Sequence, residues 1–298
     1  MNDEISTAAQ YWSVKRETDR TRWWHHERIH RHINRIVCGK ELDQPHGGFN
    51  ERIRRVMPAE GFRQAVSIGC GTGGKEMRLL RAGIVQHFDL CEIGEHRREQ
   101  INRKAADFGV TDRVTIHIGD AFQSSFEEPF DLVYWNNALH HMIDVDHAVE
   151  WSHRVLSPGG WFVMDDFVGA SRFQWSDEDL QTASRVRELL PERFLLSPRP
   201  GAGPLSRQLT RPSIDAMLRT DPSEAADSAR ILPSLKRVFP GAQILLTGGV
   251  VYHLALSDVL TNFDDEQDVP LLDALLLLDD ELARMGRTHY AVALASKS

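Results

Sequence analysis

The chain has 298 residues, 41% of them hydrophobic and 26% charged, with a net charge of −8 and a pI near 6.0. That length buries a substantial core, as one large domain or one domain with a sizeable insertion, and the acidic balance excludes a global basic footprint for nucleic acid. Cys38, Cys70 and Cys91 are scattered and form neither a disulfide framework nor a Cys-x-x-Cys site.

The opening MNDEISTAAQ is polar and acidic, unlike a signal peptide. No apolar run approaches the roughly 18 residues that span a bilayer, so a soluble, cytoplasmic protein is expected. Residues 1–58 read as an N-terminal helical region. Residues 5–37 predict one or two helices, with Trp12, Trp23, Trp24, Ile29, Ile33 and Ile36 as apolar positions. Cys38 to Asn50 reads as a loop, and Glu51 to Met57 as a further helix. Within the first part, His26-Glu27-Arg28-Ile29-His30 formally matches the zinc-protease pattern H-E-x-x-H. No third ligand follows at a recognisable spacing, and the His/Arg density reads as a solvated or substrate-facing helix surface.

Residues 59–167 carry the chemistry. Ala65-Val66-Ser67-Ile68 stops at Gly69-Cys70-Gly71-Thr72-Gly73-Gly74, and the helix-compatible Lys75-Glu76-Met77-Arg78-Leu79-Leu80 follows at once. Strand, glycine turn and helix bring bare backbone and a helix N-terminus to an adenosine-containing ligand. Alone, Gly-x-Gly-x-x-Gly fits a nicotinamide dehydrogenase equally well. Strand-like runs at 65–69, 86–91, 113–118, 130–135 and 161–165 alternate with helices, the clearest at Glu95–Phe108 and Asp146–Leu156. Leu156 to Gly160 reads as a turn into the fifth strand. Such alternation implies a mostly parallel, doubly wound α/β sheet.

Glu92 ends the second strand, roughly 20 residues past the glycines, where a carboxylate accepts ribose hydroxyls; a plain surface acid is the other reading. Asp120 ends the third strand and suits either an adenine amino group or a helix N-cap. The fourth strand runs into Asn136-Asn137-Ala138-Leu139-His140-His141, and the fifth ends at Asp165-Asp166. Residues 168–240 are helical, irregular and broken by prolines: an insertion beside the site, read as a substrate lid or a structural elaboration. Residues 241–298 complete the sheet, with strands at Ala242–Thr247 and His289–Ala295 that pair with each other, and a helix-rich stretch at 252–285.

The succession IGCGTG, an acid ending strand two, GDA, FDLVYWNNALHH and VLSPGGWFVM resembles a class I S-adenosylmethionine-dependent methyltransferase over residues 60–166. The remainder is similar to a bacterial subgroup of these enzymes, some of them associated with surface-polysaccharide or secondary-metabolite pathways. The resemblance implies a Rossmann-like seven-stranded sheet with an antiparallel last strand, plus the N-terminal helices and the helical insertion. It also implies S-adenosyl-L-methionine as cofactor. Gly69, Cys70 and Gly71 would approach the methionine moiety, Glu92 with Ile93 the ribose, Asp120 with Ala121 the adenine, and Asn136 the cofactor through its backbone. Many members carry an acid two residues before the first glycine, steadying the loop and the cofactor's amino end; this chain has Ser67 there.

A methyl on sulfonium is already activated, so the protein mainly aligns the attack and deprotonates a hydroxyl acceptor. His140, His141 and Asp166 are the catalytic candidates, with Asp165 beside them. A histidine has a suitable pKa for a base at neutral pH. Each could instead pack, touch the cofactor or cap a loop. The expected reaction is O-methylation of a small-molecule or glycan-like acceptor, with N- and C-methylation or a non-catalytic scaffold as alternatives. No metal is expected, although Asp165, Asp166 and the histidine pair could hold one. Trp12, Trp23, Trp24 and Trp175 read as core residues or as a sugar-stacking wall.

Overall fold

The computed structural model describes Thr7 and residues 22–298. Trp12 and most of the first expected helix lie outside the described residues. Five parallel strands form the centre: β1 (Phe62–Ile68), β2 (Val85–Glu92), β3 (Val114–Ile118), β4 (Phe130–Asn136) and β5 (Leu156–Phe167). With β6 (Gln243–Gly248) and β7 (Tyr290–Ser296) the order is β3-β2-β1-β4-β5-β7-β6. β7 runs antiparallel to both β5 and β6. The seven-stranded, doubly wound sheet is therefore as expected, with the last strand lying inside the sheet and β6 at its edge.

Strand periodicity explains how both faces are covered. Side chains alternate across a strand, and here both sets are apolar, as a two-sided buried sheet requires. Val66, Val133, Trp135, Phe162, Met164, Ala291, Ala293 and Ala295 face one layer. That layer is α5 (Val145–Val155) and α8 (Ile231–Val238), which contribute Val149, Trp151, Ile231 and Leu235. The alternate residues Ala65, Leu132, Tyr134, Val163, Val292 and Leu294 face the other layer. This second layer is built from α1 (Glu27–Cys38), α2 (Gly47–Val56), α3 (Gly74–Arg81) and α4 (Arg97–Phe108). Each fully buried large apolar side chain, such as Phe88 or Phe162, contributes about 1.5–3 kcal/mol.

A third apolar cluster sits beyond Phe167 and Tyr290. It joins α6 (Asp177–Leu189), a π-helical turn at Val250–Ala255 and α9 (Val269–Arg284). Trp175 is buried in it, stacked on His289 at 4.4 Å and on Phe173 at 5.1 Å, and is therefore core rather than a sugar platform. Trp23 packs on Tyr252 and Tyr290, while Trp24 is exposed. The short α7 (Ile214–Thr220) completes the helices.

Two boundaries differ from expectation. Leu156 to Gly160 lies within β5, not ahead of it: Leu156 pairs with Phe130 and Trp161 with Leu132, so the expected turn is an irregularity that shifts the register inside one strand. α2 begins at Gly47, inside the expected loop, because buried Asn34 organises that segment. Its amide donates to the carbonyls of Leu42 and Gln44, and its Oδ1 accepts the Gly48 N–H at 2.7 Å. Among the described residues, no helix is long and apolar enough to cross a membrane.

The turn after β6 hangs on one carboxylate. Buried Asp279 of α9 accepts the N–H groups of Gly249, Val251 and Tyr252 at 2.8, 2.9 and 3.3 Å. Gly248 must be a glycine there, with φ +88° and an added Cβ only 2.9 Å from Asp279 Oδ2. Asp279→Ala leaves three buried donors unpaired and lowers the unfolding free energy by about 3 kcal/mol or more, read as a shifted midpoint in urea denaturation.

Candidate active site

β1 and β4 are neighbours, with β2 and β3 beyond one and β5 beyond the other. The crevice between the carboxyl ends of β1 and β4 is where a sheet of this order takes a ligand. The glycine loop leaves β1 there. Gly69, Gly71 and Gly73 have φ of +65°, +61° and +74°, which only glycine adopts without strain. A Cβ on Gly69 would stand 3.0 Å from that of Ala138, and one on Gly71 would meet nothing within 4 Å, leaving bare backbone. The Gly69 N–H is anchored to the Cys91 carbonyl at 2.9 Å. Burial pushes the Cys70 thiol well up, so it packs as a neutral group.

Glu92 closes the loop from β2. Its Oε2 accepts the Gly71 N–H at 2.8 Å and its Oε1 the Ile93 N–H at 3.0 Å. Oε1 also accepts the Gly94 N–H at 3.4 Å, and Oε2 retains a further lone pair for a hydroxyl donor. Asp120 caps the 3₁₀ turn Ala121–Gln123: its Oδ1 accepts the Phe122 N–H and its Oδ2 the Gln123 amide, both at 2.9 Å. The capping alternative is therefore realised, while Ala121 behind it is buried.

At the end of β4, Asn136 accepts the Lys75 ammonium on its backbone carbonyl at 2.7 Å and on its Oδ1 at 2.8 Å, and its own amide donates to the Tyr134 hydroxyl. Asn137 then takes a left-handed φ of +53° with its N–H on the Asp165 carbonyl. Asp166, fully buried, is the hub. Its Oδ2 accepts the N–H groups of Ala138 and Leu139 at 2.9 and 2.8 Å, and its Oδ1 accepts the Phe167 N–H at 2.8 Å and His140 Nδ1 at 2.5 Å. With the Nδ1 proton committed to this bond, His140 Nε2 points to Glu224, whose Oε1 lies 3.8 Å away. Burial opposes a charged His140, yet Asp166 and then Glu224 outweigh it and raise the imidazole above its ordinary value. Burial likewise pushes the Asp166 carboxyl up, but His140 and the two backbone donors hold it below the usual range.

His141 packs against His140 with the rings tilted and their centres 4.1 Å apart, and it reaches Ser223 Oγ at 3.1 Å. The segment that brings Ser223 and Glu224 is fastened over the histidines: the Arg172 guanidinium donates to the carbonyls of Pro222 and Glu224, and the Ala226 N–H to the His140 carbonyl at 3.1 Å. Ligand atoms of His140, His141 and Glu224 lie within 4.8 Å of one another, so these three could hold a cation. Asp165 faces another way, pairing with His46 Nδ1 at 2.7 Å.

The structure thus brings Gly69, Cys70, Gly71, Glu92, Ile93 and Asn136 to one crevice, with His140, His141 and Asp166 beside it. Sequence reasoning missed Lys75, Glu76, His46, Ser223 and Glu224. Only Lys75 and Glu76, in the first turn of α3, carried a local signal. The H-E-x-x-H pair does not form a metal site: His30 Nε2 bonds the Trp24 carbonyl at 2.9 Å, and neither histidine joins a metal-capable cluster among the described residues. Its arginines are ion-paired, Arg28 with Asp273 and Arg31 with Glu27 and Asp43. Nearby, a groove of about 360 Å³ lies between α1 and residues 263–272, away from the strand ends.

Residues 66–164 match a family model described as a methyltransferase domain. They form a methyltransferase domain. The 27-O-demethylrifamycin SV methyltransferase of Amycolatopsis mediterranei (strain S699) is 30% identical over 149 residues, covering 50% of this chain and 53% of that protein. The sterol 24-C-methyltransferase of Debaryomyces hansenii is 25% identical over 154 residues, covering 50% and 39%. The chain thus spans about half or less of the length of these curated relatives. A geranyl diphosphate methyltransferase solved with GPP and sinefungin shares the fold over the full length of both chains, with a TM-score of 0.55 at 14% identity. The methyltransferase domain contains the glycine loop, Glu92, Asp120, Asn136 and both histidines, but ends at Met164, before Asp166 and well before Glu224.

Glu92→Ala removes the acceptor that fixes the Gly71 N–H. Affinity for S-adenosylhomocysteine, read by titration calorimetry, should fall roughly tenfold to a hundredfold, the usual scale of a charged hydrogen bond.

Proposed function

We propose that the chain transfers the methyl group of S-adenosylmethionine to a hydroxyl of a small-molecule or glycan-like acceptor seated against His140 and His141. The observation that carries this reading is the buried Asp166–His140 pair, whose Nε2 turns away from the carboxylate toward the insertion. When bound, S-adenosylmethionine supplies a methyl already activated on sulfonium, which leaves alignment and proton removal to the protein. Gly69, Cys70 and Gly71 would carry its methionine part, Glu92 and Ile93 its ribose, Asp120 and Ala121 its adenine, and Asn136 would contact it by its carbonyl. His140 takes the acceptor's proton at Nε2, and Asp166 steadies the imidazolium that results. Glu224, His141 and Ser223 line the acceptor side.

A hydroxyl must lose a proton as it is methylated, and a hydrogen-bonded carboxylate–histidine pair serves that need. The name of the rifamycin relative is consistent with O-transfer; the sterol relative is a C-methyltransferase. The compartment we infer is the cytoplasm, supported by three cysteines that form no disulfide. Binding of S-adenosylhomocysteine but not NAD in calorimetry is the first expected result, and the reverse would sink the donor assignment.

The base role has a pH signature. Because Asp166 raises His140, the acid limb of kcat should lie above the ordinary histidine value of about 6.5. Below that limb His140 is protonated and cannot accept. Asp166→Asn removes the charge that holds the proton, so burial dominates: the limb should move to lower pH while kcat falls by roughly 10²-fold or more. Unchanged turnover in His140→Gln would exclude the base role.

A second reading is favoured by the close approach of His140, His141 and Glu224. Under it the trio holds a divalent cation, with Asp166 orienting one histidine ligand from behind. Turnover that disappears after dialysis against a chelator and returns with Mn²⁺ would select this reading; chelator-insensitive turnover selects the base.

A further inference from the structure

Lys75 and Glu76 stand side by side in the first turn of α3, at the crevice between β1 and β4, and the methyl-transfer reading has given neither a task. Glu76 is 2% exposed. Its Oε1 accepts the Ser67 hydroxyl at 2.8 Å, whereas its Oε2 is buried with no hydrogen-bond partner among the described residues. A buried carboxylate with an oxygen left over is costly unless a donor completes it. Burial pushes the Glu76 carboxyl up, and the Lys75 ammonium is the main influence opposing that.

Lys75 presents the complementary anomaly. Its ammonium is held by the carbonyl and the amide oxygen of Asn136, both neutral acceptors. Burial lowers it, with Glu76, Asp165 and Asp166 as the nearest compensating charges. The crevice therefore offers a carboxylate oxygen short of a donor beside an ammonium bonded only to the two oxygens of Asn136. That set matches the free end of an α-amino acid, which carries one ammonium and one carboxylate on the same carbon.

Ser67 fits the same picture. At the end of β1, its hydroxyl orients the carboxylate that Glu76 delivers from the helix. We propose that Glu76 and Lys75 bind the amino-acid end of the methyl donor, Glu76 receiving the α-ammonium and Lys75 the α-carboxylate. The inference rests on the donor assignment made above.

Calorimetry on the whole chain with two probes tests it: S-adenosylhomocysteine, and 5′-methylthioadenosine, which keeps the nucleoside and thioether but lacks the amino-acid end. The wild type should prefer S-adenosylhomocysteine by at least roughly tenfold, since charged hydrogen bonds are at stake. Glu76→Gln keeps the shape and the acceptor for Ser67. It should weaken S-adenosylhomocysteine by about tenfold to a hundredfold and leave 5′-methylthioadenosine within about twofold. Lys75→Met should do the same. Adding Ser67→Asp to the Glu76→Gln variant should restore most of the lost affinity by returning the carboxylate from the strand.

Equal losses for both probes would show that Glu76 merely shapes the loop, and unchanged S-adenosylhomocysteine binding in Glu76→Gln would likewise overturn the proposal. Wild-type protein that binds the two probes equally removes the amino-acid-end site while the donor assignment stands. Wild-type protein that binds neither removes both.

Discussion

A single buried carboxylate, Asp166, holds the loop after β4 and its histidines in place. It sits in β5 with its position set by the ladder to β7, where it pairs with Ala291. From there it accepts hydrogen bonds from three backbone N–H groups and one imidazole. An isolated buried charge would be prohibitive, but one so fully satisfied becomes a rigid hub. The loop leaving β4 has only the single 3₁₀ turn Leu139–His141, and it contains a left-handed, non-glycine Asn137. Such strain persists only where surrounding contacts over-determine it, and Asp166 with the Asp165 carbonyl supplies those contacts. The orientation of His140 follows directly.

The second constraint is the strand order. Because β4 lies beside β1, a glycine loop from one strand and a polar loop from the other open onto the same crevice. Glu92 ties the glycine loop to β2, and Lys75 ties α3 to the end of β4. His46 reaches Asp165 from the start of α2, so the N-terminal helices are bound to the site as well as to the sheet. The charged groups of the crevice therefore lie within a framework whose two faces are otherwise apolar. Their mutual influence is strong because water is scarce around them.

How much of this was legible in the sequence depended on range. The glycine turn, the strand-end acid Glu92 and the histidine pair were readable because each is a local pattern at a strand end. The irregularity in β5 was half readable: Pro158-Gly159-Gly160 signals a break, but only cross-strand register shows that pairing resumes on the same neighbour. The role of Asp166 required knowing that β5 lies next to β4, a fact of topology, and then that the side chain points back under the loop. Glu224 was beyond reach. It lies 84 positions after His140 in a proline-broken segment with no periodicity, which Arg172 and the Ala226 N–H fasten down over His140. Asp120 illustrates the opposite limit, since an acid before a short turn suits both a cap and a ligand, and the cap is what the backbone uses.

These ranges also divide the labour of the chain. Everything proposed to hold the methyl donor lies between Gly69 and Asn136, within the segment matched by the family model. The groups that meet the two histidines, Ser223 at His141 and Glu224 at His140, come from outside it, as does the Arg172 that fastens them. Arg172 and Ala225 both adopt positive φ, at 53° and 48°, and their backbones meet in a hydrogen bond of 2.6 Å. Strain of this kind is tolerated where the surroundings fix a geometry that an unstrained loop would not hold. On the proposed reading, donor contacts and acceptor contacts come from separate segments of the chain. Each of the two curated relatives matches half of this chain, and their names specify transfer to oxygen in one case and to carbon in the other. On the reading proposed above, acceptor choice depends on how residues 170–226 close over His140, a segment that can change without disturbing the crevice proposed for the donor.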